Sequence, residues 1–129
     1  MHRARNVLGI VAGSIFILSS GAHSLLGWPS IQRGLAAANA HGDLIEFLMI
    51  AFQFAGLAML VFGVIVIVRF ARSLRGEAGS YTTCVVIGVA YVLYGAWALA
   101  ITREPFFLIF LVPGLLLLAA SWRPAGERS

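Results

Sequence analysis

Ser20, His23, Glu46, Gln53 and Tyr91 are polar side chains carried by otherwise apolar stretches. A histidine beside a glutamate can relay protons, hold a polar headgroup or a quinone-like ring, or ligate a metal. A glutamine and a serine supply the hydrogen bonds that orient a ligand or lock two helices together. Glu46 and Gln53 are seven residues apart, two helical turns, so they share a helix face and differ only in depth. Polar groups inside a membrane span are rare and mark either helix packing or a functional site.

Each of these residues also has a structural reading. Asp43 and Glu46 form D-x-x-E at a helix start, the capping-box arrangement, with Asp43 at the N-cap and Glu46 at the third position. Gln53 can spend its amide on an interhelical bond, with Ser20 as the natural partner. His23 can be a packed, hydrogen-bonded histidine, His41 a solvated loop residue, and Tyr91 and Tyr94 packing aromatics. Cys84, the one cysteine, lies in an apolar run and reads as a small buried residue.

No catalytic motif is present. The spacing of H-E-x-x-H is absent, and His23 with Glu46 offers only two metal ligands, with His41 as a distant third. Haem needs axial histidines inside a bundle, and only His23 qualifies. No Ser-His-Asp set or Gly-rich phosphate loop occurs. The sequence therefore assigns no metal and no cofactor, and an enzyme is the less favoured class.

The elements that position these residues follow from composition. Of 129 residues, 60% are hydrophobic and 11% charged, and the mean hydropathy is +0.95. A soluble domain has about twice that charged fraction, so lipid is the solvent that suits this chain. The net charge of +4 does not point to nucleic acid. Every basic residue is Arg, placed at the ends of apolar runs rather than on a helix face, which is the pattern of a topology signal.

The expected fold is an all-α integral membrane protein, a bundle of four transmembrane helices with left-handed packing. The spans are placed at about 7–27, 44–68, 81–101 and 105–122. An outer loop or interfacial helix covers 28–43, an inner loop 69–80 and a tail 123–129. A secretory signal peptide competes for the first span, but three more apolar runs follow it. Trp28 and Pro29 are expected to close the first helix, Trp28 at the membrane–water interface. With the N-terminus inside, Arg3, Arg5, Arg69, Arg72, Arg75, Arg123 and Arg128 face the cytoplasm and only Arg33 and Arg103 face out. That bias places both termini in the cytoplasm of a multi-pass protein of the plasma membrane, in a bacterium the inner membrane.

Each of the first three spans carries a stripe of small and polar residues at spacings of three and four. These are Gly9, Gly13, Phe16, Ser20, His23 and Gly27; then Glu46, Met49, Gln53, Gly56, Leu60 and Gly63; then Tyr81, Cys84, Gly88, Tyr91, Gly95 and Ala98. A seven-residue repeat is the period of left-handed packing, and small residues let helices approach closely in lipid. Gly9, Gly13, Gly56, Gly63, Gly88 and Gly95 can serve the bundle itself, a homo-oligomer or a membrane-protein partner. Pro113 and Gly114 predict a kink in the fourth span.

At 1.5 Å per residue, Glu46 lies roughly 5 Å and Gln53 roughly 15 Å below Asp43, while His23 lies roughly 7 Å and Ser20 roughly 12 Å below Trp28. His23, Glu46, Gln53, Ser20 and Tyr91 are thus expected to converge in the outer half of the bundle, as a pocket for a small molecule or lipid. Two other readings stand beside it: an accessory or structural subunit of a membrane complex, and a small proton-coupled transporter with Glu46 as the titrating group. In general shape, four short spans with both termini inside, the chain resembles the DoxX-like and other small bacterial four-span proteins. The resemblance carries over no functional residue.

Overall fold

The computed structural model describes residues 2–122, with side chains from residue 3 onward. The expected tail 123–129, including Arg123 and Arg128, lies outside the described residues. The described chain is all helical. Helix α1 (His2–Ala22) runs through a π-helical turn (His23–Gly27) into α2 (Trp28–Ala37). Then come α3 (Gly42–Leu74), α4 (Thr82–Thr102), a 3₁₀ turn (Pro105–Phe107) and α5 (Leu108–Ser121). Three helices are long and apolar enough to cross a membrane: Arg3–Ala37, Gly42–Leu74 and Thr82–Thr102. The fourth apolar helix, Pro105–Ser121, is shorter.

The first helix does not end at Trp28-Pro29. Proline removes one N–H and its ring presses on the carbonyl four residues back, which breaks an α-helix unless the backbone widens. Here it widens: the Trp28 N–H reaches back five residues to the His23 carbonyl, a π turn that admits one extra residue. The extra residue also changes the phase of everything after it. Trp28 is turned inward, 7% exposed, with its ring 5.9 Å from Phe52. It therefore packs against α3.

α3 also departs from its expected ends. It begins at Gly42, with His41 at the N-cap in extended backbone and no side-chain cap bond. Asp43 is then already inside the first turn, too far along to cap, so the Asp43–Glu46 capping box is not formed. Asp43 still suits the positive end of the helix dipole. At its other end α3 continues past Val68 to Leu74, because Phe70 keeps the inward period and is fully buried. Gly76 then turns the chain with φ +82°, a left-handed conformation that glycine adopts without a Cβ penalty. Arg69 braces this turn, donating to the Ser80 carbonyl at 3.0 Å and lying 4.1 Å over the Tyr81 ring.

The helices pair antiparallel, α1 on α3 and α4 on α5, and α1 also lies against α5. The tightest crossing is Gly13 with Gly63. A Cβ on Gly63 would sit 2.8 Å from the Gly13 carbonyl oxygen, and one on Gly13 would sit 3.0 Å from that of Gly63. Main chain meets main chain there. The stripe that begins at Tyr81, the N-cap of α4, is buried at all six positions: Tyr81, Cys84, Gly88, Tyr91, Gly95 and Ala98. Gly88 and Gly95 receive Leu118 and Leu111 of α5. Gly9 receives Phe70, and Gly56 receives Ser24 and His23. All six glycines named as possible partner contacts are thus occupied within the chain.

α3 and α4 make few contacts; aromatic side chains meet there, Phe62 on Tyr91 at 6.3 Å and, just ahead of α4, Phe70 on Tyr81 at 5.1 Å. That gap matters for the site.

Candidate functional site: an aromatic cavity beside the π turn

The gap between the α1–α3 pair and the α4–α5 pair is filled at one end and open at the other. At the end that carries Arg3, Arg5, Arg69, Arg72 and Arg75, Phe16, Val66, Phe70 and Leu117 close it without exposed surface. Toward the other end the helices enclose a cavity of about 620 Å³. That volume lies within the range of small-molecule sites.

The walls have a clear division. His23, Leu26 and Gly27 of the π turn, with Phe52 and Met59 of α3, form one side. Tyr94 of α4 and Phe106, Phe107, Ile109 and Phe110 form the other. The second wall is a chain of rings: Phe106 on Phe107 at 5.6 Å, Phe107 on Phe110 at 6.3 Å, and Phe110 edge-on to Tyr94 at 5.1 Å. Pro105 opens that wall with its fixed φ, and Thr102 holds the preceding connection. The Thr102 hydroxyl donates to the Ala98 carbonyl at 2.8 Å and accepts from the Glu104 N–H at 3.2 Å. Leu26, Tyr94 and Phe106 line the cavity and are also exposed, so the rim opens sideways at these residues.

His23 is the polar residue the geometry defines best. Its ring stacks on Phe52 at 3.6 Å between centroids and 8° between planes. Its Nε2 lies 3.0 Å from the Phe52 carbonyl oxygen. A carbonyl only accepts, so Nε2 carries the proton, and in the neutral ring Nδ1 is left as an acceptor. The π turn contributes here too, since it begins at His23 and frees the following turn to line the cavity. Ser19 joins His23 on the cavity wall. Its side chain is 6% exposed, and its hydroxyl has no hydrogen-bond partner among the described residues. Ser30 is the remaining hydroxyl on this side.

Of the residues expected to converge, only His23 lines this cavity. Ser20 is turned one position away and donates to the Gly56 carbonyl at 2.7 Å, not to Gln53. Tyr91 is buried behind the cavity, against Phe16 at 4.2 Å and Phe110 at 5.9 Å, and its hydroxyl has no partner among the described residues. Glu46 is exposed and Gln53 half-exposed, and neither reaches the lining. The cause is helical phase. The inward stripe of α3 is Phe52, Gly56, Met59, Gly63, Val66 and Phe70, against the expected Glu46, Gln53 and Leu60. The two stripes share Gly56 and Gly63 and differ by one residue, about 100° of rotation, at the positions between.

Sequence reasoning missed Ser19, Phe52, Met59, Phe106, Phe107 and Phe110. The run Pro105-Phe106-Phe107 with Phe110 was the available signal, since rings at i and i+3 or i+4 share a face. Among the described residues no group of three or more His, Cys, Asp or Glu is placed to hold a metal ion. No protein-family model matches the chain, and neither a similar curated protein nor a similar solved structure is found.

Proposed function

We propose that this chain is a four-span membrane protein that holds a lipophilic, ring-bearing small molecule or lipid in the aromatic cavity. α5 serves as the fourth span, and both termini lie on the arginine-rich, cytoplasmic side of a plasma membrane. The observation that carries the reading is the pairing of an aromatic-walled cavity with a histidine whose Nε2 is already committed to Phe52. Flat rings stack on flat rings. A ligand hydroxyl or N–H that donates to Nδ1 of His23, with Ser19 beside it, fixes orientation at the deep end. The sideways opening leaves room for an apolar tail to enter from the lipid.

The topology follows from the distribution of arginine. Among the described residues five lie at one end and two, Arg33 and Arg103, at the other, and such a bias favours the cytoplasm for the richer end. α5 with its leading 3₁₀ turn covers 17 residues, Pro105–Ser121, about 25 Å at helical rise. It spans a thin or locally compressed bilayer.

Native mass spectrometry from a mild detergent tests the binding reading. The wild-type protein is expected to carry an adduct of defined mass, and filling the cavity with Ile109→Trp to remove it. His23→Leu is expected to reduce occupancy about tenfold, the effect of one lost buried hydrogen bond to a ring nitrogen. No adduct in the wild type, or an adduct retained in Ile109→Trp, overturns the proposal.

A further inference from the structure

The opposite end of the molecule holds a second, smaller cavity with a different chemistry. It has a volume of about 560 Å³ and is lined by Arg3, Asn6 and Val7 of α1 and by Ser73 and Leu74 of α3. Asn6 is 6% exposed, an unusual place for an amide. Its Oδ1 lies 3.4 Å from the Tyr81 hydroxyl. Its Nδ2 has no acceptor among the described residues, and Asn6 lines the cavity. The Tyr81 hydroxyl has a single proton, and its shorter contact is to the Ser73 Oγ at 2.6 Å; Ser73 accepts there and keeps its own proton to donate. Arg3 adds a guanidinium.

Each of these three groups has a donor to offer, and no carboxylate is among the lining residues that are described. Glu77, the carboxylate on the turn that follows α3, is engaged by Arg72 at 3.7 Å. A concave site that offers an amide N–H, a hydroxyl and a guanidinium with no described carboxylate fits an anion with several oxygens. The flanking Val7 and Leu74 are apolar and half-exposed.

We propose that Arg3, Asn6 and Ser73 form a binding site for a phosphoryl group. An anionic phospholipid headgroup and a soluble phosphate share this chemistry. The apolar flanks and the arginines of this end suit the headgroup, whose acyl chains run down past Val7 and Leu74.

The experiment places the purified full chain in mixed micelles of phosphatidylglycerol and phosphatidylcholine with identical acyl chains and counts retained lipid by native mass spectrometry. One phosphatidylglycerol is expected to be retained in preference to phosphatidylcholine. Arg3→Gln is expected to lower that preference about fivefold, the effect of one arginine near a charged headgroup. Asn6→Leu is expected to lower it as well. Arg3 is exposed, so Arg3→Gln keeps the test meaningful should Asn6→Leu fail to fold. Arg75→Gln, outside the cavity, is expected to leave the preference unchanged and so separates a site from diffuse attraction. In phosphatidylcholine alone, a rise in unfolding temperature with inorganic phosphate that Arg3→Gln abolishes supports the phosphoryl site and assigns it to a soluble anion. Equal retention of the two lipids with no response to phosphate overturns the proposal. An effect of Arg75→Gln as large as that of Arg3→Gln also overturns it.

Discussion

Near the arginine-rich end α1 and α3 approach until Gly13 and Gly63 bring peptide against peptide. Two to three turns further along, the same two helices meet through Ser20 on the Gly56 carbonyl and His23 on Phe52. The first contact leaves no room for a side chain. The second joins polar atoms and rings beside the cavity. In lipid, helices gain little from burying apolar surface, because the tails are as apolar as leucine. The close packing at Gly13 and Gly63 lies on one side of the molecule's middle and the cavity on the other.

Added bulk gives the sharpest test of this contrast. Gly63→Leu drives a side chain into the Gly13 carbonyl and Ile17 and is expected to cost about 3 kcal/mol of stability, the upper part of the range for overpacking. Reversible unfolding in SDS titrations measures it, and a loss near zero breaks the idea that the tight half carries the fold. Ile109→Trp adds comparable bulk to the open half, where the cavity receives it. Its expected cost in the same titration is below about 1 kcal/mol. If the two variants are equally damaging, the halves do not differ as described.

Smaller effects sharpen the boundary between the halves. Ser20→Ala removes one interhelical hydrogen bond and is expected to cost about 0.6 kcal/mol, the average for such bonds in a membrane. Gln53→Leu alters a side chain off the inward stripe, so stability is expected to stay within about 0.5 kcal/mol and ligand occupancy to stay unchanged. A tenfold fall in occupancy for Gln53→Leu, read by native mass spectrometry, shifts the site back toward the face that the polar residues first suggested.

The helical content and the three long apolar runs were legible because hydropathy over about 20 residues picks out helices long and apolar enough to cross a membrane. The α4 stripe was legible because its small residues and tyrosines leave one consistent phase. α3 was not, for a physical reason. Two phases share Gly56 and Gly63, and in a membrane helix the lipid-facing and buried residues are both apolar, so composition does not choose between them. Glu46 and Gln53 pulled the reading to the neighbouring phase, although Glu46, close to the helix start, can face outward there. The cavity wall was hidden for a related reason: phenylalanine suits lipid, core and pocket alike. The turn at His23–Gly27 left no mark beyond Pro29 downstream, and proline signals a break more readily than a widening.

The π turn also makes the first long helix a spliced object. One inserted residue offsets the two segments by about 100°, so the ruler that fits Gly9 to Ser20 does not fit Trp28 onward. Length and phase are thereby uncoupled: deleting a single residue between Ser24 and Leu26 would leave a continuous, equally apolar helix. It would also swing Trp28 away from Phe52 and carry the wall of the cavity with it. A chain with the same composition and the same span count would then have lost its site, a change that hydropathy alone does not register.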